Sequence, residues 1–200
     1  DIAAVFAERS FHMIEIILGI WKTGAAFLPI DIEIPKERVQ YMLHESSGKA
    51  IVVTNQSTGI WEKYQLNCPL VIVNVDQIEK QIVFEPFVEE EEDTAYVIYT
   101  SGTSGKPKVS NGNLNNFIDA MEVVFPHLTG KKMLNITTIS FDIFLMETIF
   151  PLTQGMMVVI ADEQEQMMPE KLAGLLNKQR IDVMQTTPSR LEILLRSGEF

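Results

Sequence analysis

Apolar residues fall at positions 13, 14, 16, 17, 18, 20 and 21, behind Ser10 and ahead of Gly24. This spacing predicts a helix capped by Ser10, stopped by Gly24 and buried on most sides. A strand within 1–6 precedes it and a short strand at 25–30 follows. Pro35 suits the first turn of a second helix, in which Val39, Met42 and Leu43 share one face before Ser46, Ser47 and Gly48 end it. A strand at 50–54, a weaker helix near 57–65 and a strand at 70–75 continue the alternation. The run LVIVNV at 70–75 is rich in β-branched residues, which predicts a strand buried on both faces.

Residues 81–93 then lose all helical apolar period and read as a solvated connector. Beyond it come a strand at 95–99, a Ser/Thr/Gly loop, a helix near 113–125, a strand near 133–138 and a helix near 141–150. A strand at 156–161, a helix at 169–179 opened by Pro169, a strand at 181–186 and a helix from 189 complete the pattern. Such β/α alternation predicts an α/β fold with two subdomains, 1–88 and 94–200, joined by an acidic connector at 89–93. Each is expected to hold a mainly parallel sheet covered by helices, with ligands bound where loops leave the carboxyl ends of the strands.

Composition narrows the picture. With 46% hydrophobic and 22% charged residues, a 200-residue chain is globular rather than disordered and needs neither disulfides nor a metal to fold. Its net charge is −11, but Glu85, Glu89, Glu90, Glu91, Glu92 and Asp93 crowd one short stretch, and removing those six leaves −5. A net negative chain lacks the electrostatic footprint for nucleic acid or an anionic membrane, so neither is expected as a partner. Cys68 has no second cysteine to pair with, no signal peptide opens the chain, and Glu15 and Lys22 interrupt its longest apolar stretch. A reduced, cytoplasmic location is expected. The chain starts within a strand and stops just after a helix, which suggests a piece of a longer protein.

The chemistry concentrates at 99–108, Tyr-Thr-Ser-Gly-Thr-Ser-Gly-Lys-Pro-Lys, directly after a buried strand. Glycines let backbone N–H groups approach an anion, hydroxyls donate without a counter-charge, and lysines supply positive charge for phosphate oxygens. The segment is a phosphate cradle by chemistry but not a Walker A loop, because proline follows Gly105-Lys106. Ser46-Ser47-Gly48-Lys49 and Lys22-Thr23-Gly24 fit two penicillin-binding-protein motifs, but in the wrong order and without Ser-Asp-Asn, so they read as coincidence. His12, His44 and His127 lie too far apart for metal-ligand spacing. The methionines at helical apolar positions, Met13, Met42, Met121 and Met146, read as core filler.

The 99–108 segment resembles the phosphate-loop signature of the adenylate-forming enzymes: acyl-CoA synthetases, luciferases and amino-acid-activating adenylation domains. Two further segments resemble the adenylation domains of nonribosomal peptide synthetases in particular. The stretch at 21–43, WKTGAAFLPIDIEIPKERVQYML, is similar to that family's second core motif, with Phe27 where tyrosine is usual. The stretch at 140–147, SFDIFLME, is similar to its Phe-Asp-x-Ser-x-x-Glu motif, with Phe144 where serine is usual. The resemblance covers essentially the whole chain and implies part of the large N-terminal domain of these enzymes.

The resemblance implies that Thr100, Ser101, Gly102, Thr103, Ser104, Gly105, Lys106 and Lys108 embrace the β- and γ-phosphates of ATP and then the departing pyrophosphate. It gives Asp142 the task of pairing with the substrate's α-ammonium group. That is chemically sensible, because a carboxylate at the edge of an apolar helix is costly to bury without a cation. The lesser alternative is that Asp142 simply caps the helix that starts there. Ile143, Met146 and, counting back from Pro188, Gln185 fall where the family lines its side-chain pocket. No catalytic residue and no metal ligand is assigned within the chain. After Lys108 the family usually has a glycine and then a histidine; here Val109 to Leu114 follow, with Asn111 near the histidine position.

The activity implied for the parent is amino acid plus ATP giving aminoacyl-AMP plus pyrophosphate, with Mg²⁺, followed by transfer to the phosphopantetheine arm of a carrier-protein domain in nonribosomal peptide biosynthesis. The family's adenine and ribose contacts and its C-terminal lysine are expected beyond Phe200, so the 200 residues alone are expected to be inactive. Two alternatives stand: an acyl-CoA or aryl-acid ligase of the same superfamily, and a non-catalytic nucleotide-binding module.

Overall fold

The computed structural model describes residues 1–65, 70–78, 90–99 and 108–197. They group into two compact units, Asp1–Phe117 and Ile118–Phe200.

The first unit is built on a six-stranded sheet in the order β4-β3-β1-β2-β5-β6. Its strands are β1 (Ile2–Phe6), β2 (Ala26–Pro29), β3 (Ala50–Val53), β4 (Val71–Asn74), β5 (Thr94–Val97) and β6 (Lys108–Ser110). All neighbours pair in parallel except β5 and β6, which run antiparallel. Alternate side chains point to opposite faces, and the packing follows this rule. On one face Ala4, Phe6, Leu28, Ile51, Val53 and Val97 pack with Val39, Met42 and Leu43 of α2 (Lys36–Ser46) and Trp61 of α3 (Asn55–Tyr64). On the other, Phe27 meets Trp21 of α1 (Phe11–Lys22) edge-on, with centroids 5.6 Å apart.

Local signals explain most boundaries. Gly24, at φ 72°, ends α1 in the left-handed conformation glycine tolerates. Ser10 sits at the N-cap position but makes no side-chain capping bond. Thr54 does cap α3, through a capping box with Ser57. Two burial expectations are corrected. α1 buries Met13, Ile14, Ile16, Ile17 and Ile20 on one side only and leaves Leu18 exposed, because the sheet covers a single face of it. β4 is not buried on both faces: Val71 and Ile72 are 65% and 56% exposed, since β4 is the edge strand of this sheet.

The second unit holds a parallel three-stranded sheet, β8-β7-β9, made of β7 (Lys132–Asn135), β8 (Met157–Ile160) and β9 (Val183–Met184). Leu134 and Ile136 pack against Leu172, Ala173 and Leu175 of α8 (Pro169–Gln179) and Leu194 of α9 (Pro188–Arg196). The helix expected near 141–150 is two short ones, α5 (Ile143–Glu147) and α6 (Ile149–Thr153). Pro151 explains the break: it has no N–H for the carbonyl of Glu147, and its ring clashes with that carbonyl in a continuous helix. A further short helix, α7 (Glu163–Met167), follows a reciprocal Asp162–Glu165 capping box. Between the two sheets in sequence runs α4 (Asn111–Val124). The arrangement is thus α/β with mainly parallel sheets, as the alternation predicts. Among the described residues no helix is long and apolar enough to cross a membrane.

Candidate functional site

The expected phosphate cradle joins two strands of the first unit. β5 leads into it and β6 leads out, with Val97 opposite Lys108 in the antiparallel register. Thr100, Ser101, Gly102, Thr103, Ser104, Gly105 and Lys106 lie outside the described residues. Lys108 is exposed on β6. The strand expected at 95–99 ends at Val97, so Tyr99 stands on the approach to the segment. The Arg38 guanidinium lies 5.2 Å from the Tyr41 ring centre and 5.7 Å from that of Tyr99. The two rings meet edge-on at 6.1 Å. Burial, aided by the charge of Glu45, pushes the Tyr99 phenol up to about 12, so it stays protonated through the physiological range.

Immediately after β6, the described end of the acidic run is tied to the first turn of α4. Asn111 N–H donates to the Asp93 carbonyl at 2.8 Å and Gly112 N–H to the Glu91 carbonyl at 2.9 Å. The Asn111 amide donates to the Glu90 carbonyl at 3.2 Å. A Cβ at Gly112 would stand 3.2 Å from the Glu91 carbonyl oxygen, so a larger residue there requires the Glu91 backbone to give by a few tenths of an ångström. The carboxylates of Glu90, Glu91 and Glu92 stay exposed while their backbone anchors the helix start.

The four expected substrate contacts lie in the second unit. Asp142 is exposed and caps α5, with Oδ1 accepting from Ile143 N–H at 2.9 Å. The carboxylate therefore avoids the burial cost that sequence reasoning assigned to it, while keeping acceptor capacity on Oδ2. Ile143 is also exposed. Met146 and Gln185, far apart in sequence, converge on one cavity of about 300 Å³. Its wall is completed by Phe125, Leu128, Met133, Phe150, Pro151, Met156, Val183, Met184 and Thr186. Asp142 and Ile143 stand at the start of α5, the helix that carries Met146, but are not part of the cavity lining.

The residue that fixes this region is Glu147, which sequence reasoning placed in a motif without assigning it a role. It is fully buried and accepts four hydrogen bonds. Oε2 takes the Asn135 amide, Ile136 N–H and Thr137 N–H, each at 2.8 Å, and Oε1 takes the Thr137 hydroxyl at 2.6 Å. A buried carboxylate is tolerated only when fully satisfied in this way. It ties α5 to the chain leaving the carboxyl end of β7, the end at which ligands of parallel sheets bind. A lone acid in the apolar run IFLMETIFPL was the available signal. Phe144, in the place usual for serine, is buried in the core.

Asp182 marks the opposite, amino end of the sheet. Lys132 N–H donates to it at 2.9 Å and Lys131 Nζ at 3.2 Å. These bonds hold its carboxyl below the usual carboxylate range. Among the described residues, no three His, Cys, Asp or Glu side chains converge to hold a metal ion. These residues offer no cage for the Mg²⁺ expected with ATP, an ion commonly held by substrate phosphates and water.

Comparison with known proteins bears on this geometry. The family described as AMP-binding enzyme matches residues 1–200. A dimodular nonribosomal peptide synthase from Bacillus subtilis (strain 168) is 33% identical over 204 residues, covering 97% of this chain and 8% of that protein. The crystal structure of holo-AB3403, a four-domain nonribosomal peptide synthetase bound to AMP and glycine, is 28% identical with a TM-score of 0.82, over 98% of this chain and 15% of the other. The crystal structure of the nonribosomal peptide synthetase FmoA3 superimposes with a TM-score of 0.88 at 24% identity, over all of this chain and 21% of the other. The chain thus spans a small fraction of the length of these relatives.

Proposed function

The chain belongs to the AMP-binding enzyme family, and we propose that its parent activates an amino acid as the aminoacyl adenylate and loads it onto a carrier domain. The observation that carries this reading is the convergence of Met146 and Gln185 on one cavity beside the helix that Asp142 opens. In this reading the substrate carboxylate attacks the α-phosphorus of ATP in line, the bond to the β-phosphate oxygen breaks, and pyrophosphate leaves. Thr100 to Lys106, with Lys108, neutralise charge on the leaving group. The Asp142 carboxylate holds the α-ammonium group so that the substrate carboxylate is presented correctly. Mg²⁺ bound to the nucleotide phosphates would add positive charge on the leaving group beside that of Lys106 and Lys108. The thiol of a phosphopantetheine arm on the carrier domain of the longer synthetase then attacks the aminoacyl carbonyl, forming a thioester and releasing AMP.

ATP–pyrophosphate exchange by the full-length parent tests this directly, with each common amino acid and a set of aryl and fatty acids offered singly. Exchange driven by amino acids supports the reading. Exchange driven only by acids without an amine moves the parent to the acyl or aryl ligases. No exchange with any acid leaves a nucleotide-binding module.

A further inference from the structure

The stretch at 21–43 supplies none of the expected site residues, yet α2 brings two of its side chains to the residue that precedes the phosphate-binding segment. One face of α2 places Val39, Met42 and Leu43 in the core, and Tyr99 packs against the same cluster just beyond the end of β5. Arg38 and Tyr41, three residues apart and so neighbours on the helix surface, reach that ring. The guanidinium lies 5.2 Å from the Tyr41 ring centre and 5.7 Å from that of Tyr99. Among the described residues no carboxylate forms an ion pair with it. Its charge is therefore left to the two rings, whose electron-rich faces attract a cation. The Tyr99 hydroxyl is buried without a hydrogen-bond partner among the described residues. Contacts of the ring, not of the hydroxyl, hold Tyr99 in place.

We propose that Arg38 is a positioning residue for ATP: by holding the Tyr99 ring it fixes the point from which the chain leaves β5 for the phosphate-binding residues. The inference rests on the adenylate-forming reading above and adds a residue to it. The sheet alone does not fix that point. The antiparallel register pairs Val97 with Lys108, and Tyr99 lies two residues past Val97. The Arg38 contact supplies the missing constraint, directly before Thr100. Such a constraint matters because phosphate donors act through their placement, and a shift of about 1 Å in a positioned group can cost ~100-fold in rate. A lysine would keep the charge but lacks the planar surface with which a guanidinium stacks on aromatic faces.

The test is ATP–pyrophosphate exchange by the full-length parent with its best substrate acid, varying ATP and the acid in turn. Arg38→Met and Tyr99→Leu should each raise the KM for ATP by ~5–10-fold and leave the KM for the acid within ~2-fold of wild type. Arg38→Gln, a second neutral variant, should match Arg38→Met. Arg38→Lys is expected between Arg38→Met and wild type, and Tyr99→Phe, which keeps the ring face, should recover most of the loss seen with Tyr99→Leu. Combining Arg38→Met with Tyr99→Leu should cost no more than the worse single change, because both remove one contact. A KM does not depend on how much of a preparation is folded, so lost stability alone does not produce this pattern. A wild-type KM for ATP in Arg38→Met and Arg38→Gln overturns the inference, as does an equal rise in both KM values. Additive effects of the two changes also overturn it, since Arg38 would then act independently of Tyr99. Absence of exchange by the wild-type parent with every acid removes the adenylate-forming reading itself, and this inference with it.

Discussion

Thr137 meets Glu147 twice, its backbone N–H donating to Oε2 at 2.8 Å and its hydroxyl to Oε1 at 2.6 Å. With Asn135 and Ile136 donating as well, one side chain ties down the end of β7 and the two residues that follow it.

Glu147→Ala should therefore destabilise the second unit by about 3 kcal/mol or more, since each buried donor left unpaired costs ~1–3 kcal/mol. Glu147→Gln should cost less, because one acceptor oxygen remains while the new amide opposes the existing donors. Denaturant midpoints with unchanged slopes would measure both. A Glu147→Ala midpoint equal to the wild type would show that the buried network does not hold the unit together.

Asp142 separates two roles by chemistry. Asp142→Asn keeps an oxygen to accept from Ile143 N–H but removes the charge, whereas Asp142→Ala removes both. If the carboxylate pairs with a substrate ammonium, both variants should lower amino-acid-dependent exchange in the parent by roughly 100-fold, as expected for losing a charge-assisted bond. Full activity of Asp142→Asn would reduce the residue to a helix cap.

Trp21 donates its indole N–H to the Ala95 carbonyl at 2.8 Å, joining the end of α1 to β5. Trp21→Phe keeps most of the ring packing on Phe27 but strands that carbonyl, with an expected cost of ~1–3 kcal/mol. Thermal and chemical unfolding of the variant check this, and an additional Ala95→Gly change is not expected to restore the loss.

The pH dependence follows from Asp182. Its folded pKa is depressed by hydrogen bonds from Lys132 and Lys131. The unfolded chain therefore binds a proton first as pH falls, and the stabilisation, present above the ordinary aspartate range, is lost on acidification through the folded value. Asp182→Asn should lower the denaturant midpoint at pH 7 and converge with the wild type in strong acid. A constant difference across the titration would place the effect elsewhere.

Legibility in the sequence divides along physical lines. Strand and helix order was readable because apolar periodicity is a local signal, as at Val39, Met42 and Leu43 or in Ala50–Val53. Exposure was less so: Val71 and Ile72 look like core residues, but their exposure depends on β4 being an edge, which no local pattern encodes. The break at Pro151 was signalled in the sequence and passed over, as was the Asp162–Glu165 capping box. Within the candidate site, Met146 and Gln185 were found together only through resemblance, since nothing in their surroundings predicts a shared cavity. Glu147 was visible as a lone acid among apolar residues, yet its task depends on where the backbone of Ile136 and Thr137 lies in space.

The strand orders carry a consequence for synthesis of the chain. In the first sheet β2 and β3 pair with β1, β4 with β3, β5 with β2, and β6 with β5. In the second, β8 and β9 both pair with β7. Among the described strands, every one after the founder of its sheet pairs with a strand made earlier. A nascent chain emerging from its amino end at ~5–20 residues per second thus offers each new strand a template already outside the ribosome. Circular permutation that makes β1 or β7 the last strand of its sheet would remove that order while leaving the final contacts the same. Slower folding and more aggregation at unchanged equilibrium stability would then report on vectorial assembly alone.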